Sequence, residues 1–454
     1  MKLLEQTRLE TVSLPAKERR QLWVAPFLRS YLVVFVAYMA MYIIRKNFNV
    51  SQNDLIEQYG FTKTDLGQIG FWFALTYGVG KTVVGYLGDG RNTKNMISVL
   101  LILASLSMFA FAGVAGSLSG MIFFFALNGF FQSAGGPLSY STITKWTVPK
   151  NRGRFLGLWN ISHNLGGALA AVIATFGAEV VFSGDVRGMF IFPASVALIV
   201  GIAGLFMGSD SPEAYGLGKA EDIFEEEFSV QDLEVQKEQL SQWAIIRRYI
   251  LKNPYVWGLC FANVFLYIVR IGVDQWGVVY AREVLGLSKE VAKSGFTLFE
   301  VGALSGAFIW GYLSDLSKSR SAMISMIATV LIFLVLGVYQ NARDAETYQG
   351  AMFALGFLIF GPQLLIGVSG VFFVPKNAVS VTDGLKGTFG YLLGDSFAKL
   401  GMGMMADNKI VMGLSGWSGT FTAMYTSAIL CLLCLAFVAF GEEKRIRHRS
   451  RSGR

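Results

Sequence analysis

The pentapeptide Gly85-Tyr-Leu-Gly-Asp89 recurs in the second half of the chain as Gly311-Tyr-Leu-Ser-Asp315, at an offset of 226 residues. Each copy closes an apolar stretch, and basic residues follow each copy. Two arginines that lie inside apolar stretches, Arg45 and Arg270, are offset by 225 residues. Because the offset is nearly constant, the 454-residue chain is predicted to be a duplicated unit.

The composition is that of an integral membrane protein. Hydrophobic residues make up 53% of the chain and charged residues 15%, whereas a soluble domain has about 25% charged residues. Twelve apolar segments are each close to the roughly 20 residues that a helix needs to cross a bilayer. They are 27–50, 66–87, 95–116, 120–145, 155–183, 187–208, 254–274, 292–313, 321–340, 348–374, 383–406 and 418–441.

These segments predict an all-α membrane protein with twelve transmembrane helices in two parallel six-helix repeats, the arrangement of the major facilitator fold. The predicted organisation is an N-terminal half (1–208), a polar cytoplasmic linker (209–253), a C-terminal half (254–441) and a basic tail (442–454). In this fold the substrate binds between the halves near the bilayer midplane.

Basic residues lie in the N-terminal segment, in the even-numbered loops and in the tail, so the positive-inside rule predicts that both termini are cytoplasmic. The same rule accounts for most of the net charge of +8 without a nucleic-acid partner. The expected partners are the lipid bilayer and a small anion, and the expected state is a monomer.

An anion site is predicted from the two intramembrane arginines. An arginine at the centre of a membrane helix costs about 2.5–3.5 kcal/mol on insertion scales. The planar guanidinium group suits bidentate recognition of phosphate. Arg45 and Arg270 are therefore expected to bind a phosphate. The alternative is that they pair internally with carboxylates such as Asp274 or Glu300.

Other polar residues are candidates for the lining of the same cavity. Lys81 lies eight residues before Asp89, about 12 Å along a helix, and it either contacts the ligand or extends to the membrane surface. His163 lies in the polar run Trp159-Asn160-Ile-Ser-His163-Asn-Leu-Gly-Gly167. Polar runs inside apolar helices usually face a cavity, although a lone buried histidine is also commonly structural.

Tyrosines lie one helical turn from each arginine. Tyr42 precedes Arg45 by three residues, Tyr267 precedes Arg270 by three, and Tyr38 precedes Tyr42 by four. Side chains at these spacings share a helix face. The three hydroxyl groups are expected either to contact a phosphate or sugar, or to serve ordinary helix packing.

Asp383 and Lys386 are spaced i,i+3, so they are expected to form a neutral pair on one helix face. This pair is either a strut or a pair that opens when a substrate competes for the lysine. The Gly-x-Leu-x-Asp motif resembles the major facilitator signature between helices 2 and 3. This resemblance implies that Asp89 and Asp315 hold the cytoplasmic gate through charged hydrogen bonds. A tight turn with a capping aspartate is the alternative for that motif.

No catalytic machinery can be recognised in the sequence. It contains no Gly-Lys-Ser/Thr phosphate loop, no metal-ligand spacing and no nucleophile–base arrangement. No cofactor, no metal site and no enzymatic activity are therefore expected.

Four segments and one arginine closely resemble the organophosphate:phosphate antiporters of the major facilitator superfamily. They are Ile44-Arg-Lys-Asn-Phe-Asn49, Thr76-Tyr-Gly-Val-Gly-Lys81, the polar run 159–167, Arg270, and Phe360-Gly-Pro-Gln-Leu-Leu-Ile-Gly367. Within the family, Asp383-Gly-Leu-Lys-Gly-Thr-Phe389 and Gly394-Asp-Ser-Phe-Ala-Lys-Leu-Gly401 most resemble the hexose-phosphate branch.

This resemblance implies a carrier of the bacterial inner membrane that exchanges external hexose 6-phosphate, such as glucose 6-phosphate, for internal inorganic phosphate by alternating access. It implies that Arg45 and Arg270 bind the phosphate and that the Asp383–Lys386 pair bears on selectivity. It also implies that Lys46, Asp274 and Glu300 form a charged cluster that adjusts when substrate binds. Two alternatives stay open: a membrane sensor of extracellular sugar phosphate, and the same carrier with another organophosphate such as glycerol 3-phosphate.

Overall fold

The computed structural model describes residues 2–88, 91–225, 247, 251–316, 320–374 and 379–452. Contacts between Cα atoms divide the chain into two compact units. The first unit comprises Met1–Tyr59 and Leu75–Leu233, and the second comprises Gly60–Ala74 and Glu234–Arg454.

The helices from the N-terminus to residue 225 are α1 (Ala16–Tyr59), α2 (Lys63–Gly88), α3 (Thr93–Gly113), α4 (Leu118–Gln132), α5 (Gly135–Trp146), α6 (Pro149–Phe176), α7 (Gly188–Phe206) and α8 (Ala220–Phe224). The helices of the rest of the chain are α9 (Pro254–Glu283), α10 (Lys289–Leu316), α11 (Ser321–Gln340), α12 (Ala345–Phe373), α13 (Val379–Phe389), α14 (Met402–Ala406) and α15 (Gly416–Ser452). The described residues form no strand beyond two isolated bridges.

Each of the twelve predicted spans has a helical counterpart in the described chain, but three spans are not continuous α-helices. The fifth passes from α6 into a π-helical turn, Gly177–Val181. The fourth span is divided between α4 and α5 around Ser133. The eleventh contains two π-helical turns, Gly390–Asp395 and Phe397–Gly401, between α13 and α14. Within the described residues, nine helical segments are long and apolar enough to cross a membrane by length and composition.

The first part of the predicted linker packs on the first unit. Ile223 of α8 and Leu217 are buried against Trp23, Phe27 and Trp146. Through these apolar side chains, the segment 217–223 of the predicted polar linker is anchored on the first unit. Residues 226–246 and 248–250 of that linker lie outside the described chain.

The start of α2 is fixed within the second unit by a carboxylate cap. Asp407, which follows α14, accepts hydrogen bonds from the backbone N–H of Lys63 at 3.2 Å and of Thr64 at 2.6 Å. Burial raises the pKa of this carboxyl, but the hydrogen bonds from Thr64 and Lys63 outweigh burial and hold the pKa below its usual value. The cap therefore satisfies the free N–H groups of the first turn with a charge of favourable sign.

Glycines allow α10 and α12 to approach closely in the second unit. Gly302 and Gly306 of α10 have the Gly-x-x-x-Gly spacing that lets membrane helices pack backbone to backbone. A Cβ atom on Gly306 would clash with the backbone carbonyl of Phe357, and one on Gly356 would clash with the carbonyl of Phe299. Since these obstacles are backbone atoms, a larger side chain at either position must push the helices apart.

We expect Gly356→Ala to lower the melting temperature of the purified protein, because overpacking of this kind costs about 1–3 kcal/mol. Gly350→Ala on the same helix is the matched control, since nothing lies within 4 Å of a Cβ atom there. The measurement is thermal unfolding in detergent. Equal melting temperatures for the two variants would show that α10 and α12 do not depend on this close approach.

Candidate functional site

Arg45 of α1 is held between two aromatic rings in the first unit. Its guanidinium carbon lies 4.4 Å from the ring centroid of Tyr42 and 4.3 Å from that of Tyr77 on α2. Its Nε donates a hydrogen bond of 3.0 Å to Oε1 of Gln132 at the end of α4. Cation–π contacts of this kind contribute about 0.5–2 kcal/mol each, so the rings and the amide together fix the orientation of the guanidinium group.

Lys81 belongs to the same group of side chains. Its Nζ lies 5.1 Å from the ring centroid of Tyr77, the ring that also contacts Arg45. The structure therefore places two cations around one aromatic ring. The two alternatives for Lys81 are contact with the ligand and extension to the membrane surface. In the structure Lys81 lies beside Arg45.

His163 of α6 lies against the tyrosines of α1. Its ring centroid is 5.2 Å from that of Tyr42 and 6.3 Å from that of Tyr38, and Tyr38 stacks on Trp159 at 4.6 Å. The Nδ1 atom of His163 is paired with the backbone carbonyl of Asn160. Three residues predicted for the site, Tyr38, Tyr42 and His163, thus form one group beside Arg45. Asn160 is exposed, and it contacts this group through its backbone carbonyl.

Arg270 of α9 has an equivalent environment in the second unit. Its guanidinium carbon lies 4.3 Å from the ring centroid of Phe360 on α12 and 5.6 Å from that of Tyr267. Its Nη1 donates a hydrogen bond of 2.8 Å to Oε1 of Gln363, also on α12. The Arg270 side chain is buried, with 7% of its surface exposed.

Lys386 of α13 is buried close to the same helix. Its Nζ donates a hydrogen bond of 3.2 Å to the carbonyl of Ile366, and its backbone carbonyl accepts one from Asn263 of α9. Asp383 also lies on α13, but its side chain is outside the described part of the structure. The predicted Asp383–Lys386 contact is therefore an untested prediction.

The residues predicted to form a charged cluster are all buried in apolar helices. Lys46 is 5% exposed in the first unit, and Asp274 and Glu300 are 3% and 1% exposed in the second. Buried charges are costly unless they are paired, and in membrane segments they usually serve function. Of the two predicted gate aspartates, Asp89 lies outside the described residues. Asp315 lies in the last turn of α10, and its side chain is outside the described part of the structure.

Both groups are built from side chains that can bind an anion. Each combines a guanidinium group, aromatic rings and a glutamine amide, and the first adds the Lys81 ammonium group. In the part of the chain that the structure describes, no three His, Cys, Asp or Glu residues lie close enough to hold a metal ion. The arrangement can bind and orient an oxyanion through charge and hydrogen bonds.

Comparison with known proteins shows the family. The model of the Major Facilitator Superfamily matches residues 31–398. The chain belongs to this superfamily. The superfamily and the curated relatives of this chain are transporters. This confirms two predictions: the major facilitator fold, and a protein that is not an enzyme.

Curated relatives match almost the full length of the chain. The hexose-6-phosphate:phosphate antiporters of Salmonella typhimurium and Escherichia coli are each 57% identical over 452 residues, which cover 99% of this chain and 98% of theirs. The glycerol-3-phosphate transporter of Bacillus subtilis is 31% identical over 427 residues, which cover 93% of this chain and 94% of that protein.

A solved structure supports the fold alone. A bacterial homologue of the human lysosomal transporter Spinster, in an inward-facing and unoccupied conformation, superposes with a TM-score of 0.70 at 18% identity. The match covers 92% of this chain and 97% of the other.

Four residues of the two groups were not assigned to the site in the sequence analysis: Tyr77, Gln132, Phe360 and Gln363. Tyr77, Phe360 and Gln363 lie inside quoted motifs, and Gln132 and Gln363 are offset by 231 residues, close to the offset of the arginines. The repeat could have identified the two glutamines as a pair. It could not have shown that each one contacts an arginine.

We expect Tyr77→Leu to weaken the binding of inorganic phosphate, because it removes the ring shared by Arg45 and Lys81. Tyr77→Phe is the matched control, since it keeps the ring. The measurement is the rise in melting temperature that phosphate causes, which reports ligand affinity. If the leucine variant is stabilised as strongly as wild type, or if both variants lose the effect equally, the ring is not the group that positions the cations.

Proposed function

We propose that this protein is a secondary antiporter that imports hexose 6-phosphate, such as glucose 6-phosphate, in exchange for inorganic phosphate by alternating access. The main support is the 57% identity to hexose-6-phosphate:phosphate antiporters over 99% of the chain. The geometry agrees with this function, since each unit holds one guanidinium group on aromatic rings beside a glutamine amide.

Arg45 and Arg270 bind the phosphoryl group of the substrate, which is common to the imported sugar phosphate and the exported phosphate. Arginine forks make charge-assisted, bidentate hydrogen bonds to phosphate oxygens, about twice as strong as neutral ones. Exchange is coupled because only the anion-loaded carrier changes its conformation. Neither ATP nor a cofactor takes part.

The other predicted residues have supporting roles. Lys81, His163, Asn160 and the hydroxyls of Tyr38, Tyr42 and Tyr267 line the substrate site. Lys46, Asp274 and Glu300 adjust their pairing when substrate binds, and the Asp383–Lys386 pair tunes selectivity. Asp89 and Asp315 hold the cytoplasmic gate.

The protein is a multi-pass membrane transporter. We propose that it acts as a monomer in the bacterial inner membrane with both termini in the cytoplasm. The basic residues that flank the spans support this orientation, because cytoplasmic loops carry an excess of lysine and arginine.

The arginine assignment is tested by Arg45→Lys and Arg270→Lys. Lysine keeps the charge but loses the planar fork that matches phosphate, so each variant should lose nearly all exchange while it still inserts and folds. The measurement is exchange of labelled phosphate in proteoliposomes. Arg282→Lys is a control on α9, because Arg282 donates its hydrogen bond to the loop carbonyl of Leu287. Wild-type rates in either site variant would contradict the assignment.

The substrate is tested by counterflow. Proteoliposomes loaded with inorganic phosphate should take up labelled glucose 6-phosphate faster than labelled glycerol 3-phosphate, and empty vesicles should take up neither. Preference for glycerol 3-phosphate would favour the activity named for the relative from Bacillus subtilis. A protein that binds glucose 6-phosphate but does not exchange it would be a sensor instead of a carrier.

A further inference from the structure

An arginine–glutamine hydrogen bond is duplicated in the two units. Arg45 donates to Oε1 of Gln132 at 3.0 Å, and Arg270 donates to Oε1 of Gln363 at 2.8 Å. In each unit the arginine belongs to the first long helix of the repeat and the glutamine to the fourth predicted span. A glutamine amide can orient a guanidinium group without cancelling its charge. The two amides differ, however, in what their NH₂ groups do.

In the first unit, both ends of the amide are used by the protein. Gln132 is completely buried, with 0% of its surface exposed. Its Nε2 donates a hydrogen bond of 2.5 Å to Oδ1 of Asn128. Asn128 in turn donates to the carbonyl of Ala104 at 2.8 Å and to the hydroxyl of Ser107 at 2.9 Å. This buried network locks Gln132, so its function is to position Arg45.

In the second unit, the described residues form a hydrogen bond with only one end of the Gln363 amide. Oε1 of Gln363 accepts the hydrogen bond from Arg270, and its Nε2 donates to no acceptor among the residues that the structure describes. Gln363 is only partly buried. Because the arginine fixes the orientation of the amide plane, the Nε2 donor is presented in a defined direction next to the guanidinium group.

On α12, Gln363 also lies between two residues that contact the predicted site residues Arg270 and Lys386. Phe360, three residues earlier on α12, packs on Arg270 at 4.3 Å. Ile366, three residues later, accepts a hydrogen bond from Lys386 at 3.2 Å. Residues three apart on a helix are about 5–6 Å from each other, so one face of α12 carries the contact to Arg270, then the Gln363 amide, then the contact to Lys386.

We propose that Gln363 is a specificity-determining residue whose Nε2 donates a hydrogen bond to a hydroxyl oxygen of the sugar in hexose 6-phosphate. The inference rests on the proposed function and adds the residue that reads the organic part of the substrate. Arg270 holds the phosphoryl group, and the amide attached to it reaches the atoms next to the phosphate. Gln132 has no equivalent role, because its NH₂ group is already bonded to Asn128.

The proposal predicts a change in the ratio of two affinities. Gln363→Leu removes both the amide donor and the amide acceptor. Arg270 then loses its hydrogen bond to Oε1, so the affinity for inorganic phosphate and for every phosphate ester falls. Glucose 6-phosphate also loses the hydroxyl contact, and its affinity relative to inorganic phosphate should fall about 3- to 10-fold, the net value of one hydrogen bond. The measurement is calorimetric titration of the purified full-length protein with each ligand.

Methyl phosphate separates a contact to the sugar from a contact to the phosphate ester. It has the ester but no hydroxyl, so its affinity relative to inorganic phosphate should be the same in Gln363→Leu and wild type. If methyl phosphate loses as much affinity as glucose 6-phosphate does, the amide contacts the ester and the proposal is wrong. An unchanged glucose 6-phosphate ratio would overturn it equally.

The matched control is Gln132→Leu, which should weaken glucose 6-phosphate and inorganic phosphate by the same factor. A ratio that shifts as much in this variant as in Gln363→Leu would overturn the assignment to α12. Gln363→Met, which keeps the length of the side chain, replaces the leucine variant if that variant does not fold. Wild-type protein that binds neither ligand would instead refute the proposed function, so the two failures are distinguishable.

Discussion

The burial of a guanidinium group in an apolar helix is the constraint on which the two residue groups depend. It costs about 2.5–3.5 kcal/mol at the centre of a membrane helix, so the surrounding side chains must stabilise the cation without removing its ability to bind an anion. Aromatic faces and an amide oxygen meet both requirements. Arg45 between Tyr42 and Tyr77, and Arg270 beside Phe360, show the same solution in both units.

The repeat preserves this solution, but the two units have diverged around it. The first surrounds its arginine with Lys81, His163 and an amide locked into a buried network. The second leaves one donor of its glutamine without a protein acceptor among the described residues. One turn further along α12, the carbonyl of Ile366 accepts a hydrogen bond from Lys386 of α13. A substrate with one charged end and one polar end matches such a division: common phosphate chemistry in both units, and recognition of the organic part in the second.

The helices and the arginines could be predicted from the sequence because both signals are local. Apolar runs of about 20 residues and repeat offsets of 225 and 226 residues can be read without knowledge of packing. The glutamine partners could not, since Gln132 follows Arg45 by 87 residues and Gln363 follows Arg270 by 93. The packing of Leu217 and Ile223 on Trp23 was also not predicted. These two apolar residues lie in a polar stretch and contact a residue far away in the sequence. Contacts between distant segments depend on tertiary packing, which one sequence does not specify by pattern alone.

The central claim is that both intramembrane arginines bind the phosphoryl group. A cryo-EM reconstruction of the protein in saturating inorganic phosphate tests it most directly. The account predicts density for one phosphate whose oxygens lie within hydrogen-bonding distance of the guanidinium groups of Arg45 and Arg270, with Gln132 still bonded to Arg45. Phosphate density that neither arginine reaches, or that only one of them contacts in every conformation observed, would contradict the account.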